Sequence, residues 1–383
     1  MFRREIRIVL TGGGTGGHVF PLLAVASELR EYAQNFQIPL RMYYIGPLSG
    51  PFSAPAELFV EQGIEVREIS AGSLTRSGIV GFFECIAGFF QGLWHLFFIM
   101  PDIVFSKGGY GALPVIMARC IYYIPLVIHE SDAIPGTVNL KSARFASRIA
   151  ISFAKSASYF PNEKTGLVGN PVRSSVVASG VDNVRAAHYF GFGADRKTIL
   201  ILGGSQGARV LNDAVLDVLP DLVKHYHVIH QCGLKNFAEV RQEAHMMLAS
   251  IPEGVEEHYK LYGFLEKENL PMAYAAADLV VARAGAGLIF ELAALGKPAI
   301  LVPLASSSQD HQRENAYQYA ASGAATVVEE ENLKPHLFTA TIAKLLNDSA
   351  KLAVMSEAAR RFARPDAAQA IARELLVLCG IKS

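Results

Sequence analysis

The apolar positions fall into short runs closed by glycine, and these runs alternate with segments of helical period. Residues 7–11, 41–45, 65–69, 102–105, 125–129 and 149–152 read as strands. Between them, 22–32 (starting near Val19), 55–62, 79–100, 113–121 and 137–146 read as helices. The pattern restarts at 198–202 and continues through strands at 228–231, 259–263, 279–282, 299–302 and 325–329. Helices are expected here at 184–189, 272–277, 288–295 and 310–322, and a helical tail at 352–379 broken by Pro365. Strands apolar on both faces that alternate with helices predict an α/β chain of doubly wound parallel sheets. Such sheets bind ligands at the carboxyl ends of their strands.

Two strand–loop–helix units carry the strongest punctuation. The first, RIVLTGGGTGGHVFP at 7–21, holds five glycines between positions 12 and 17; the second is TILILGGSQGAR at 198–209. A glycine loop lets backbone N–H groups approach an oxyanion, and the following helix start adds partial positive charge. Neither loop fits G-x-x-x-x-G-K-[ST], which argues against a P-loop nucleotidase. The two copies predict two Rossmann-like halves facing a central cleft. Residues 1–170 are expected to form the first domain, 171–355 the second, and 356–383 a helical tail; the junction is GNPVR at 169–173.

Composition changes this picture in one place. The chain has 383 residues, 51% hydrophobic and 18% charged, with net charge zero, so bulk charge offers no footprint for nucleic acid. Cys85, Cys120, Cys232 and Cys379 form no C-x-x-C pair and suggest a reducing compartment. Met1 to Glu5 lead straight into the first strand and leave no room for a signal peptide. The exception is 79–100, IVGFFECIAGFFQGLWHLFFIM, whose one acid is Glu84 and which lacks Lys and Arg. Its length suffices to span a bilayer. Glu84, Gln91, His95, three glycines and its place between two strands argue against spanning. It reads either as a buried crossover helix or as a helix whose Phe82, Phe83, Phe89, Phe90 and Trp94 dock on a membrane surface. Nearby, 133–162 has no acid, and Lys141, Arg144 and Arg148 recur at helical spacing. That face is either ordinary solvated surface or an attraction for anionic headgroups or pyrophosphate.

The second half reads as a nucleotide-sugar pocket. At 283–291 a strand end, two glycines and a helix start coincide, so the N–H groups of Ala286, Gly287 and Leu288 can bind a diphosphate. Glu291, one turn on, can hold ribose hydroxyls or simply complement the helix dipole. Ser205 and Gln206 can contact phosphate or sugar, Gln312 can read sugar hydroxyls, and Asp310 suits an N-cap. The first half supplies candidate bases in His18, Glu130 and Asp132, with Lys107 and Tyr110 on a neighbouring loop. No D-x-D-type pair is placed to hold a metal over a diphosphate, so backbone N–H groups and helix dipoles would stabilise the leaving group.

Seven motifs in order, GGGTGGHVFP (12–21), KGGYG (107–111), HESDAIPG (129–136), GNPVR (169–173), GGSQGAR (203–209), RAGAGLIFE (283–291) and DHQREN (310–315), make the chain resemble the MurG family of peptidoglycan glycosyltransferases. The resemblance implies a GT-B fold without essential metal or cofactor, taking GlcNAc from UDP-GlcNAc to the C4 hydroxyl of lipid I with inversion, to give lipid II. It places the lipid-linked acceptor on the first domain and the donor on the second, and implies that the 356–383 tail packs back on the first. Carried over by motif, Gly14, Thr15, Gly16, Gly17 and His18 face the acceptor diphosphate and donor sugar. Glu130 is a candidate base with His18 its rival; Arg173 and Ser205 bind the nucleotide diphosphate. Leu265 backbone groups read uracil; Ala286, Gly287, Leu288, Ile289 and Phe290 hold phosphate; Glu291 holds ribose; Gln312 reads GlcNAc. The implied location is the cytoplasmic face of the inner membrane, peripherally bound, with other cell-wall synthesis proteins as partners.

The chain departs from that pattern at three points. The family's H-E-Q-N is His129-Glu130-Ser131-Asp132 here, so a carboxylate replaces an amide donor. Leu288 stands where Thr is common, which removes a phosphate hydroxyl contact, and the loop after Pro303 differs in length from some members. The rival readings are a UDP-GlcNAc 2-epimerase, a diacylglycerol glucosyltransferase and a non-catalytic nucleotide-sugar sensor. An NAD-dependent dehydrogenase is disfavoured, because Ile45-Gly46-Pro47 supplies no acid for an adenosine ribose.

Overall fold

The computed structural model describes residues 4–13, 16–48, 55–72, 78–177, 180–204, 207–249, 251–252, 254–265, 268–305 and 310–381. The chain divides into two compact units, Met1–Arg173 with Arg364–Ser383, and Ser174–Ala363.

The first unit is built on seven parallel strands: β1 (Ile6–Thr11), β2 (Leu40–Gly46), β3 (Glu65–Glu68), β4 (Ile103–Ser106), β5 (Leu126–Glu130), β6 (Arg148–Ile151) and β7 (Thr165–Leu167). Their order is β3-β2-β1-β4-β5-β6-β7. The direction of winding reverses between β1 and β4, the switch point at which open α/β sheets place their ligands. The loops leaving these two strands are the first glycine loop and 107–112. The central strands β4 and β5 are buried along their whole length, which is why their sequences run apolar without alternation. The edge strand β3, Glu-Val-Arg-Glu, has no buried residue and is charged against further pairing.

The second unit repeats the design with six parallel strands: β8 (Thr198–Leu202), β9 (His227–Gln231), β10 (Tyr259–Tyr262), β11 (Leu279–Ala282), β12 (Ala299–Leu301) and β13 (Ala325–Val327). Their order is β10-β9-β8-β11-β12-β13, and the reversal lies between β8 and β11. The loops after these strands are the second glycine loop and Arg283–Gly285.

The last helix, Ala367–Leu378, belongs to the first unit. Its Ile371 and Leu375 join Ile8, Leu22 and Phe105 in one core, and Glu374 pairs with Arg148 at 2.8 Å. The break at Pro365 separates it from the helix Ser349–Phe362.

The helix Gly78–Ile99 packs through a narrow stripe of Gly81, Gly88, Gly92, Leu96 and Ile99. A Cβ at Gly88 would lie 1.9 Å from the Ser70 carbonyl oxygen, so only glycine permits this approach. Most of the remaining surface is apolar and open: Phe82, Phe83, Phe90, Trp94, Phe97 and Phe98 are each more than half exposed, while Phe89 is half-buried. Only 22% of the apolar window Val80–Ile99 is buried; among the described residues this is the one helix long and apolar enough to cross a membrane by length and composition.

The basic helical face does not form. The helix holding Lys141 ends at Ser142, Arg144 lies in a 3-10 turn beside Phe145, and Arg148 opens β6. Ser147 N–H donates to the Leu126 carbonyl, so the sheet captures the chain before another helical turn can form. Among the described residues, elements that escape the hydrophobic pattern include β7, whose Gly166 and Leu167 are exposed, and the helices Phe237–Leu248 and Pro335–Leu346.

Candidate active site

At the switch point of the first unit, His18 lies two residues inside the helix Gly16–Asn35. Pro21 in this helix cannot donate to the Gly17 carbonyl, which eases the close turn. The imidazole fits between two loops. A Cβ at Gly13 would lie 2.6 Å from its Nδ1, and one at Gly109, where φ is +77°, 3.1 Å from its Cε1. Gly13 N–H donates to the Gly108 carbonyl at 3.2 Å and so ties these loops together. Burial, and then the Lys107 charge, push the His18 pKa down to about 4, with Asp132 opposing. The ring is therefore neutral near pH 7 and can accept a proton. Gly16 and Gly17 form the first turn of the helix, whereas Gly14 and Thr15 lie outside the described residues.

Glu130 turns inward. Its Oε1 accepts the Asp132 N–H at 3.0 Å, and its Oε2 accepts the Gly136 N–H at 3.0 Å and Asn139 Nδ2 at 2.9 Å. Only 3% exposed, it braces the 130–136 turn. Burial and the nearby Asp132 raise its pKa, while these hydrogen bonds lower it. Asp132 itself is half-buried. Lys107 is also drawn inside. Its Nζ donates to His129 Nδ1 and Ser131 Oγ, and at 3.4 Å to Asn170 Oδ1, which leaves no N–H for a bound phosphate. His129 Nε2 donates to the Gly169 carbonyl at 2.9 Å, so Nδ1 is the accepting nitrogen. Tyr110 is half-buried against the core, and the Arg173 guanidinium lies 4.6 Å over the Phe20 ring.

In the second unit the helix Ala286–Leu295 starts after Gly285. Ile289 N–H already donates to Gly285, so the open N–H groups are those of Ala286, Gly287 and Leu288. Ile289 and Phe290 point their side chains into the core, so their part in holding phosphate is limited to shaping the turn. Glu291, 7% exposed, accepts the Tyr274 hydroxyl at 3.0 Å, which orients the carboxylate. Arg283 donates to the Val302 carbonyl at 3.2 Å and pairs with Glu330, locking the β11 and β12 loops together.

Leu265 is buried, and its N–H is donated to Gln231 Oε1 at 3.0 Å. Gln231 also donates to the Gly204 carbonyl at 3.3 Å and thereby joins two loops. Gln312 Oε1 accepts the Leu304 N–H at 3.2 Å. Ser205 and Gln206 lie outside the described residues.

Sequence reading passed over Asn139, Asn170, Tyr274 and Gln231. A buried asparagine inside a helix is the one available signal, since Asn there is costly unless its amide is used.

Residues 8–151 match the Glycosyltransferase family 28 N-terminal domain, and residues 198–371 the Glycosyltransferase family 28 C-terminal domain. The chain is 36% identical over 384 residues to the UDP-N-acetylglucosamine–N-acetylmuramyl-(pentapeptide) pyrophosphoryl-undecaprenol N-acetylglucosamine transferase of Salinibacter ruber, covering 99% of this chain and 98% of that one. It is 35% identical over 379 residues to the transferase of the same name in Nitratidesulfovibrio vulgaris (strain DP4), covering 97% of each. Among solved structures it is similar to Acinetobacter baumannii MurG, with TM-score 0.74, 26% identity, and coverage of 97% of this chain and 100% of that one. A UDP-GlcNAc 2-epimerase from Neisseria meningitidis shares the fold at TM-score 0.69 and 14% identity, over 97% of this chain and 100% of that one. The two parallel-sheet units are those of a GT-B glycosyltransferase.

Proposed function

The chain belongs to the family of UDP-N-acetylglucosamine–N-acetylmuramyl-(pentapeptide) pyrophosphoryl-undecaprenol N-acetylglucosamine transferases, and from that premise we propose how its two units divide the reaction. It transfers GlcNAc to lipid I and forms lipid II in peptidoglycan synthesis. The first unit takes the acceptor and the second takes UDP-GlcNAc. The acceptor's C4 hydroxyl attacks the anomeric carbon, a new C–O bond forms with inversion, and the bond to the UDP oxygen breaks. His18 receives the hydroxyl proton. The N–H groups of Ala286, Gly287 and Leu288, with the helix dipole behind them, take up the charge on the leaving diphosphate. Glu291 holds the ribose, Gln312 the GlcNAc hydroxyls, and Ser205 and Gln206 the diphosphate. The observation that carries the donor reading is the open helix start at Gly285 with the Tyr274-oriented Glu291 one turn inside.

The membrane reading belongs to the helix Gly78–Ile99. The strands before and after it, β3 and β4, lie in one sheet, which is difficult to reconcile with a bilayer crossing. Its open aromatic face instead supports docking on the inner leaflet, where an undecaprenyl acceptor resides. Lys141 and Arg144 stand in the same unit and would add attraction for anionic lipid.

The deciding experiment incubates purified protein with labelled UDP-GlcNAc and a short-chain lipid I analogue, with and without EDTA. A disaccharide-lipid product in both arms supports the reading. Epimerised or unchanged UDP-GlcNAc with no lipid product overturns it.

A further inference from the structure

We propose that Gln231 is a positioning residue for the donor, its side-chain amide fixing the second glycine loop against the loop after β10 so that a nucleoside diphosphate meets its phosphate and base contacts already in register. The proposal rests on the donor reading above.

Gln231 is the last residue of β9, the strand between β8 and β10. Its backbone carbonyl accepts the Gly203 N–H at 3.1 Å, and its side-chain Nε2 donates to the Gly204 carbonyl at 3.3 Å. On the other side its Oε1 accepts the Leu265 N–H at 3.0 Å. One side chain therefore holds the loop after β8 and the loop after β10 at the same time. Gln231 is only 5% exposed. An amide is costly to bury unless it is hydrogen-bonded, and fixing so long a side chain also gives up rotamer freedom. An apolar residue would fill the position without either cost, so the amide at this place is explained by the two loops it ties. The backbone around it is closely fitted. A Cβ at Gly203 would lie 3.2 Å from the Gln231 carbonyl oxygen and 3.1 Å from the Ala208 nitrogen. The next residue continues the pattern: Cys232 N–H donates to the Tyr262 carbonyl at 3.0 Å, and its own carbonyl accepts Asn212 Nδ2 and Asn236 Nδ2, each at 3.0 Å. The end of β9 is thus a rigid base between the two loops.

Neighbouring strands lie about 4.8 Å apart, so the loops after β8 and β10 leave the sheet about 10 Å from each other. A nucleoside diphosphate crosses this gap with its ribose, its phosphates toward the glycine loop and its base toward Leu265. A ligand that touches both loops gains from their fixed spacing, because binding does not have to order one loop against the other. A ligand that touches only one loop gains little from it.

The test uses the full chain and compares wild type, Gln231→Met and Gln231→Glu by calorimetric titration with UDP, uridine and inorganic diphosphate, and by transfer kinetics. Gln231→Met keeps the side chain's length and removes both ties. It is expected to weaken UDP binding about tenfold, and uridine and diphosphate binding by less than about twofold. KM for UDP-GlcNAc should rise about tenfold, with kcat and the acceptor KM within about twofold of wild type. Gln231→Glu keeps an acceptor for Leu265 and loses the donor to Gly204, so it should show the same preference at a smaller size. Equal losses for the three ligands, or an unchanged affinity for UDP, overturn the proposal. If Gln231→Met does not fold, Gln231→Glu decides by the same comparison. Wild type that binds UDP yet forms no lipid product overturns the transferase reading alone, and the titrations still decide the role of Gln231. Wild type that binds no UDP overturns both.

Discussion

At the scale of single residues, the two acids of the 130–132 turn occupy different environments although they are two positions apart. Glu130 accepts three hydrogen bonds inside the turn, whereas Asp132 is half-buried. Glu130→Ala would leave the Asp132 and Gly136 N–H groups and the Asn139 amide without their acceptor. It should destabilise the first unit by about 3 kcal/mol, read from urea unfolding. A loss under about 0.5 kcal/mol would show that the turn holds itself. His18→Asn should fold normally yet lower kcat by about 10²-fold or more if the imidazole receives the proton. A variant within a few-fold of wild type would move the base elsewhere. Tyr274→Phe removes the hydroxyl that orients Glu291 and should raise KM for UDP-GlcNAc about fivefold with kcat little changed. The residue types at these positions were legible in the sequence, but the direction each side chain takes was not. Lys107 reads as a ligand contact and Glu130 as a candidate base in the chain, and packing gives both of them hydrogen-bond partners that the sequence does not show.

At the scale of elements, the helix Gly78–Ile99 shows how one apolar segment supports two readings. Composition alone fits a buried crossover helix as well as a docked one. What separates them is the glycine stripe, which gives the helix a thin line of contact and leaves the aromatics outside. Replacing Trp94 and Phe98 together by serine should weaken binding to anionic vesicles by about 10³-fold, since each buried aromatic contributes roughly 2 kcal/mol. Co-sedimentation checks this, and unchanged binding would place the membrane contact elsewhere. Strand and helix positions were mostly recoverable, because central strands of a parallel sheet are apolar on both faces. The edge strand β7 was not, because sheet pairing recruits it despite a sequence without β preference.

At the scale of the whole molecule, buried histidines set the acid limit. Burial lowers His18 to about 4 and His230 to about 3, and holds His129 well below its ordinary value. In the unfolded chain these groups titrate near 6.5, so below that pH the unfolded state binds more protons. Stability is therefore complete above about pH 6.5 and is lost as pH falls through 6.5 toward 4. The loss is roughly 1.4 kcal/mol per pH unit for each fully buried histidine. Glu130, whose pKa is raised, opposes this on the acid side. Thermal unfolding followed from pH 7.5 to 4.5 should show a steep fall in Tm, and a flat profile would mean the rings are solvated. The sequence by itself determined the two-unit α/β design and the strand ends that carry the loops, because hydrophobic period and glycine placement are local properties of the chain, and its seven ordered motifs carried the family resemblance. Only the tertiary structure decided which titratable groups are buried together, which backbone N–H groups remain open, and which apolar surface faces outward. These depend on contacts between residues far apart in sequence, and a side chain's partner, charge and exposure are fixed only once the sheets bring those residues side by side.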